Sequence, residues 1–507
     1  IFNQSSILFS TETTCVTPVD NLAVTEDTLL CPGYYVINDA GNDGVIQPEK
    51  DDGLLIQCEN TTIEGNGSGY GVYGSIDHNL TIRGCDIRNY TCGIYISTAS
   101  NVTIENNNFT APTGSRGAIY LYSGQGNIIR YNNITSQANE GFADIDLREI
   151  SNSSISNNNI KTLSYNFPIY QGLNKFNTLT GNVIELNHSN LYAINLDRSK
   201  NITITYNNIT TNGTTVYGIY TDDSTAYIGN NNITTKGSSS YGIYLRLSNN
   251  ITVYKNYIYA NGNSSYGIGY TSTTLSANVS LNNIIATTNA IKSYDDWYVY
   301  GNILKVLGTG NVIDAAGGNS SFWMNNLESA GGVTGQSNDY FCIAYDGVNE
   351  GNFYAVGTTA IPSNDCGAAN MTYPDGGEGI NATYINVTWK KQSHSPLKAL
   401  WYSFAFSNDS TVNWQELRSV WGYQNVFNFS VNATYKKYRW QSTLERKNTT
   451  AFITIPKIAN ITRAVMKPEG IANAVFKNIT GYTGNASFLR QYELFGNASA
   501  DAFGRTM

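Results

Sequence analysis

Charge is scarce in this chain of 507 residues: only 13% are Asp, Glu, Lys or Arg, and they sum to −8 at pH 7. A sequence pI near 5.0 argues against a nucleic-acid partner, which calls for a basic face. Histidine (3) and methionine (4) are rarer still. His78, His188 and His394 are scattered, so no metal cluster and no cofactor is expected. None of the seven cysteines falls in a CxxC or Cys/His metal spacing. No apolar run reaches the roughly 18 residues of a spanning helix, so no membrane insertion is expected. No helical apolar period appears in the repeating part of the chain. The chain starts at Ile1 without a basic-then-apolar leader, as would a chain whose signal peptide has been removed, or an excised fragment.

What is present is repetition. Gly93-Ile94-Tyr95 precedes Asn101-Val102-Thr103-Ile104, and Ala118-Ile119-Tyr120 precedes Tyr131-Asn132-Asn133-Ile134. Gly218-Ile219-Tyr220 and Gly242-Ile243-Tyr244 carry the same phrase further on. The spacing is about 24 residues, within the range of solenoid repeats, and each copy is too short to bury a core without its neighbours. Short β-branched alternations such as Val102/Ile104 and Ile202/Ile204, punctuated by Asn, Gly and Ser, predict short strands joined by tight turns. The expected fold is all-β: a right-handed parallel β-helix with one coil per repeat, followed by a β-sandwich-like C-terminal domain. Asparagine tolerates the left-handed conformation of such turns. A ladder is expected through Asn107, Asn133, Asn158, Asn208, Asn231, Asn256, Asn283 and Asn326. Ile94, Ile119, Ile145, Ile194, Ile219, Ile243 and Ile268 should form one inward column.

These phrases resemble the parallel β-helix repeat families, in style the NosD-type group with its "GIY…N-x-T-I-x-x-N-x-I" cadence. The pectate-lyase-like solenoids and phage tailspikes share that architecture. The resemblance covers a little over half the chain and implies a fold rather than an activity. Residues 1–52 are read as an N-terminal strand and cap, 53–335 as the β-helix, and 340–507 as the C-terminal domain. In the last, tryptophans appear and alternation is clear in Ala382–Trp389, Leu400–Phe406 and Val426–Val431. Ile1 to Ser10 alternate apolar and polar residues without a hairpin partner in sequence. They either pack on their own subunit or complete a neighbour's sheet.

Roughly thirty Asn-x-Ser/Thr triplets run along the chain. Asn60, Asn79, Asn101, Asn133, Asn201, Asn250, Asn386, Asn432 and Asn478 are the glycosylation candidates. Their density persists where no repeat requires it, which fits an exported glycoprotein of a eukaryotic or archaeal cell surface carrying covalent N-glycans. The cysteines fit disulfides of an oxidising compartment. Cys342–Cys366, Cys85–Cys92 and Cys15–Cys31 are the expected pairs, leaving Cys58 odd, and Cys31–Cys58 is the alternative.

Three functional readings follow. Scarce charge, 37 tyrosines and dense sequons fit a structural cell-surface subunit that assembles with itself into an S-layer, sheath or filament. The outward column Tyr95, Tyr120, Tyr170, Tyr220 and Tyr244 fits a strip on which sugars could stack, or an interface; stacking of Tyr on Tyr between coils would explain it without a ligand. Polysaccharide cleavage would need positioned carboxylates or a basic residue beside a metal. Asp222-Asp223 with Asp197-Arg198, flanked by Arg148 and Arg246, is the best such group, and Asp295-Asp296 a lesser one. A surface ladder of alternating charge explains the first group equally simply. The structural reading is preferred and no catalytic residue is assigned.

Overall fold

The computed structural model describes residues 14–49 and 53–341, with breaks at 76, 111–116, 138–142, 164, 272–275, 324 and 328–331, and beyond 341 only the backbone of the strands. Residues 1–10, the strand whose partner was open, lie outside the described residues. All regular structure among the described residues is β. The chain divides into two compact units: residues 1–298, 304–320 and 331–338, and residues 299–303, 321–330 and 339–507.

The first unit is a right-handed parallel β-solenoid. Each coil contributes one strand to each of three sheets. In one coil these are Tyr192–Asp197, Ile202–Thr205 and Asn208–Thr211; in the next, Tyr217–Asp222, Ala226–Gly229 and Asn232–Thr235. Sheet 1 holds the "GIY" strands and runs from Leu22–Val24 to Val333–Thr334. Sheet 2 begins at Thr28–Leu30 and sheet 3 at Gly33–Val36. The coils therefore start well before residue 53, and the segment expected as a cap already pairs in parallel with the coil above it.

Alternation decides what lies inside. On sheet 1, Ile94, Ile119, Ile145, Ile169, Ile194, Ile219, Ile243 and Ile268 align in register and all are fully buried. Sheets 2 and 3 have their own columns, such as Ile202/Ala226 and Ile209/Ile233. Each isoleucine withdrawn from water contributes roughly 1.5–3 kcal/mol, and none of it requires charge. At Gly218 the corner before the sheet 1 column leaves no room for a side chain. A Cβ on Gly218 would lie 2.5 Å from Ile233 Cγ2 and 2.6 Å from the Gly242 carbonyl oxygen. With Gly218 tucked against the core, the preceding Tyr217 is left half-exposed on the outer side.

The turn between sheets 2 and 3 has two residues. The first takes the left-handed conformation, as at Asn106, Asn157, Asn230 and even Tyr131 and Tyr206. The second is a buried asparagine. Asn107, Asn132, Asn158, Asn182, Asn207, Asn231, Asn256 and Asn282 form a ladder in which each Oδ1 accepts the backbone N–H and the Nδ2–H of the asparagine one coil below. Within the second unit, Asn302 and Asn325 bond in the same way. The expected ladder was thus one residue out at four places: Asn133, Asn208, Asn283 and Asn326 are replaced by Asn132, Asn207, Asn282 and Asn325. The displaced residues begin the sheet 3 strands. Where its side chain is described, each points away from the core, because the residue after it points in.

Two disulfides close the lower coils, Cys15–Cys31 and Cys58–Cys85. Cys58 ends the strand Leu54–Cys58, which pairs with Leu80–Arg83 one coil above, so register brings Cys58 against Cys85. Cys85–Cys92 does not form, nor does Cys31–Cys58. The strand Asp86–Arg88 separates Cys85 from Cys92, and three extended residues, at about 3.3 Å each, exceed disulfide reach. Cys92 is buried and its thiol donates to the Ile94 carbonyl (3.2 Å). Cys342 and Cys366 lie outside the described residues.

The second unit contains an antiparallel hairpin, Ile343–Tyr345 with Val348–Glu350. It also contains a five-stranded antiparallel sheet in which Ala399–Ser407 pairs with Gln415–Trp421 and Lys437–Leu444. A three-stranded sheet is built from Tyr384–Lys390, Arg463–Lys477 and Phe427–Phe429. The expected sandwich core would be made by side chains outside the described residues, as are those of Asn386, Asn432 and Asn478.

Candidate binding face

Sheet 1 presents three outward rows. The first, made by the residue before each corner, includes Phe167, Tyr192, Tyr217, Tyr241 and Tyr266. The second, directly after the inward isoleucine, runs Tyr73, Tyr95, Tyr120, Asp146, Tyr170, Asn195, Tyr220, Tyr244. The third runs Tyr122, Arg148, Gly172, Asp197, Asp222, Arg246. The column Tyr95, Tyr120, Tyr170, Tyr220, Tyr244 therefore exists in register, interrupted by Asp146 and Asn195. The Tyr192–Tyr266 row beside it was not anticipated, although Tyr-Gly-Ile-Tyr recurs in the sequence.

The tyrosines do not offer flat faces. Tyr73–Tyr95 and Tyr95–Tyr120 stack at 5.1 and 4.9 Å with interplanar angles of 7° and 8°. Tyr192–Tyr217 (5.1 Å), Tyr192–Tyr220 (4.0 Å) and Tyr241–Tyr266 (4.6 Å) do the same higher up. Parallel rings this close cover one another's faces and leave edges and hydroxyls for other partners. Tyr220 and Tyr244 are only 8% exposed. Burial pushes the phenol pKa of Tyr170, Tyr220 and Tyr241 well above the ordinary value, so these groups stay protonated.

The break in the aromatic column is filled by ions. Arg148 grips the buried Asp146 through Nε to Oδ1 (3.0 Å) and Nη2 to Oδ2 (2.9 Å). Its guanidinium lies 5.8 Å from the Tyr120 ring centroid and 5.2 Å from that of Tyr170. Tyr170 Oη donates to Asp197 Oδ2 (2.8 Å), and Arg198 donates twice to the same carboxylate (3.0 Å each). Burial alone would raise the Asp197 pKa, but the bonds from Arg198 and Tyr170 outweigh it and hold the carboxyl below its usual value. One coil on, Arg246 pairs with Asp222.

Of the residues singled out for cleavage chemistry, register brings Asp197, Asp222 and Arg246 into one row, with Arg148 two coils below Asp197. Asp223 turns away in the left-handed conformation and pairs with Lys200 at 2.9 Å. Asp295 caps a turn by accepting from Gly318 N (2.7 Å). His188 sits on the turn from sheet 3 to sheet 1, against Tyr165; the side chains of His78 and His394 are not among those described. Among the described residues, no three His, Cys, Asp or Glu side chains gather as metal ligands. Asp146, Asp197 and Asp222 each hold a cation, an arrangement suited to binding hydroxyls and ill suited to abstracting a proton, while Glu149 and Asp314 on the same sheet accept from neutral donors.

One polar group escaped the sequence reading. Asp144 is fully buried, accepts hydrogen bonds from Thr162 Oγ1 and Asn166 Nδ2, and has its pKa pushed up to about 6 by burial. It occupies the corner slot where other coils carry Gly93, Ala118, Ala193, Gly218 or Gly242. An acidic residue in a slot otherwise filled by Gly, Ala, Pro or Val was the available signal.

Comparison with known proteins bears on the fold. Residues 46–192 match the family model described as "Right handed beta helix region". No curated protein matches the sequence. Among solved structures, the A-module of the Azotobacter vinelandii mannuronan C-5 epimerase AlgE6 is similar at 17% identity and a TM-score of 0.44, over 60% of this chain and 91% of that one. A mutant tailspike protein of E. coli bacteriophage HK620 is similar at 10% identity and a TM-score of 0.40, over 92% and 86%. These likenesses speak to architecture alone. The family match, taken with the in-register coils, identifies the first unit as a right-handed parallel β-helix.

Proposed function

We propose that this is an extracellular, polysaccharide-binding β-helix protein whose sheet 1 face holds a hydroxyl-rich, uncharged glycan chain along the solenoid. The observation that carries the reading is the pairing of charges on that face. Arg198–Asp197 and Arg246–Asp222 each set a donor beside a part-exposed acceptor, Arg148 presents its guanidinium over the buried Asp146, and the Tyr170 hydroxyl donates to Asp197. A polyol satisfies both members of such a pair, whereas a polyuronate would meet a carboxylate beside every arginine. A net charge of −8 adds to that preference. Sheet 1 is also bare of sequons: its strand asparagines Asn195 and Asn289 are followed by Leu-Asp and Ala-Ile. Glycans on this chain would leave it uncovered. Two disulfides fit an oxidising compartment, and no helix among the described residues is long and apolar enough to cross a membrane.

The test is binding of the full chain to immobilised neutral and uronic-acid polysaccharides. Retention on neutral chains, lost at least about tenfold in Asp197→Asn with Tyr170→Phe as two charge-assisted bonds disappear, is expected. Retention on polyuronates alone would refute the charge argument. No retention on any glycan, with ordered polymers in the electron microscope, would replace the reading by the structural-subunit one.

A further inference from the structure

Where the middle residue of a triplet points into the solenoid, its neighbours both point out. Asn133-Ile134-Thr135, Asn208-Ile209-Thr210 and Asn232-Ile233-Thr234 obey this rule: the isoleucines are fully buried and the asparagines exposed. Asn108-Phe109-Thr110 follows it with Asn108 half-buried. The alternation that builds sheet 3 thus writes Asn-x-Thr, and the register that stacks the coils stacks these sequons. Asn108 pairs with Asn133, and Asn208 with Asn232. Their amides are joined, Asn133 Nδ2 to Asn108 Oδ1 at 2.8 Å and Asn232 Nδ2 to Asn208 Oδ1 at 3.2 Å. On the turn before sheet 2, Asn101 Nδ2 donates to Asn79 Oδ1 at 3.1 Å.

We infer that N-glycosylation of this chain is exclusive within each stacked pair: Asn79 or Asn101, Asn108 or Asn133, Asn208 or Asn232, never both. In the modification, the asparagine Nδ2 loses one hydrogen as a proton and bonds the anomeric carbon of a lipid-diphosphate-linked oligosaccharide, whose lipid diphosphate leaves. One N–H remains, so a single glycan is compatible with the rung bond. A second glycan one coil away starts about 4.8 Å from the first and leaves in the same direction, because both asparagines of a pair stand outward in register on neighbouring coils. Sugars bearing their substituents are wider than that spacing, so a doubly modified chain cannot close the rung. Asn201 and Asn250 supply the internal contrast. Thr225 stands between them on the intervening coil, since Ile202 pairs with Ala226 and Thr252 with Tyr227. Two coils separate these sequons, and both can be occupied together.

The experiment is mass spectrometry of intact glycopeptides from the full-length secreted protein. The tryptic peptide of residues 201–236 contains Asn201, Asn208, Asn212 and Asn232 without an internal Lys or Arg, so glycans are counted on one molecule. Modification at Asn208 and at Asn232 on separate molecules is expected, with the double form missing and Asn201 occupied alongside either. Asn208→Gln should raise occupancy at Asn232 and leave Asn201 unchanged. Peptides carrying both Asn208 and Asn232 glycans would overturn the exclusion. Absence of glycan from every sequon would overturn its premise, and neither result touches the polysaccharide-binding assay.

Discussion

Two asparagine columns run side by side along this solenoid, one residue apart in sequence. Asn107, Asn132, Asn158, Asn182, Asn207 and Asn231 are buried; Asn108, Asn133, Asn159, Asn208 and Asn232 lie at the surface. Both columns make amide–amide bonds between coils at close to 3 Å. Their surroundings separate them. A buried amide that loses its partner has no water to turn to, whereas a surface amide exchanges one partner for another at little cost. The same residue, in amide–amide bonds of the same length, should therefore differ severalfold in what it contributes, and that difference can be measured.

The largest effect should come from Asn207→Leu. It strands the backbone N–H and Nδ2–H of Asn182 and the carbonyl of Leu179, all of which Asn207 satisfies at 2.9–3.0 Å. At about 1–3 kcal/mol per buried orphan, the loss should be about 3–9 kcal/mol, read as a lower denaturant midpoint with an unchanged slope. Next is Ile219→Ala in the fully buried sheet 1 column, expected to cost about 2–5 kcal/mol. A ladder substitution much milder than this one would mean that water enters the turn column, and the contrast between columns would fail.

Asp144 sharpens the comparison by adding charge to burial. Its folded pKa of about 6 stands above the ordinary carboxyl value of 3.8, so the fold prefers the protonated acid. The associated stability is complete below about pH 4, declines as pH rises towards 6, and stays lost above it, for a total of about 3 kcal/mol. Asp144→Asn keeps an acceptor and gains a donor for Thr162 and Asn166. It should be more stable than the parent at pH 7 by up to that amount, and equal to it near pH 4. A constant difference across that range would show that Asp144 does not titrate with folding.

Much of the architecture was readable because β-branched alternation leaves only two choices for a side chain. Ile194, Ile219 and Ile243 fell into place once one of them did. The asparagines misled at 133 and 208 because Asn-Asn doublets carry no mark of which member faces in. That is settled by the left-handed residue just before, and Tyr131 and Tyr206 occupy that position as readily as Asn157 does. The Cys58–Cys85 bond was open to register arithmetic, since 27 residues is close to one coil; the adjacency of Cys85 and Cys92 in sequence was no guide in a solenoid. The outward rows were half legible. Tyr95 and Tyr120 follow the rule of alternation, but Tyr217 and Tyr241 escape it, because Gly218 and Gly242 bend the strand between tyrosine and isoleucine.

The smallest expected effect tests the comparison most directly. Asn133→Ala removes two amide–amide bonds, to Asn108 Oδ1 and from Asn159 Nδ2, at 2.8 Å each. By distance alone it should cost as much as losing a rung of the inner ladder. Yet Asn133 is exposed, and water can take up the Oδ1 of Asn108 and the Nδ2 of Asn159 once the side chain is gone. Asn133 lies in the strand Asn133–Ser136, where alanine is no poorer a residue than asparagine, so propensity adds nothing to the loss. The sum should stay below about 1 kcal/mol, several times less than Asn207→Leu, and should hardly depend on salt because no ion is involved. A loss of 2 kcal/mol or more would mean that the outer column acts as a cooperative chain of amides, and burial would no longer be what separates the two.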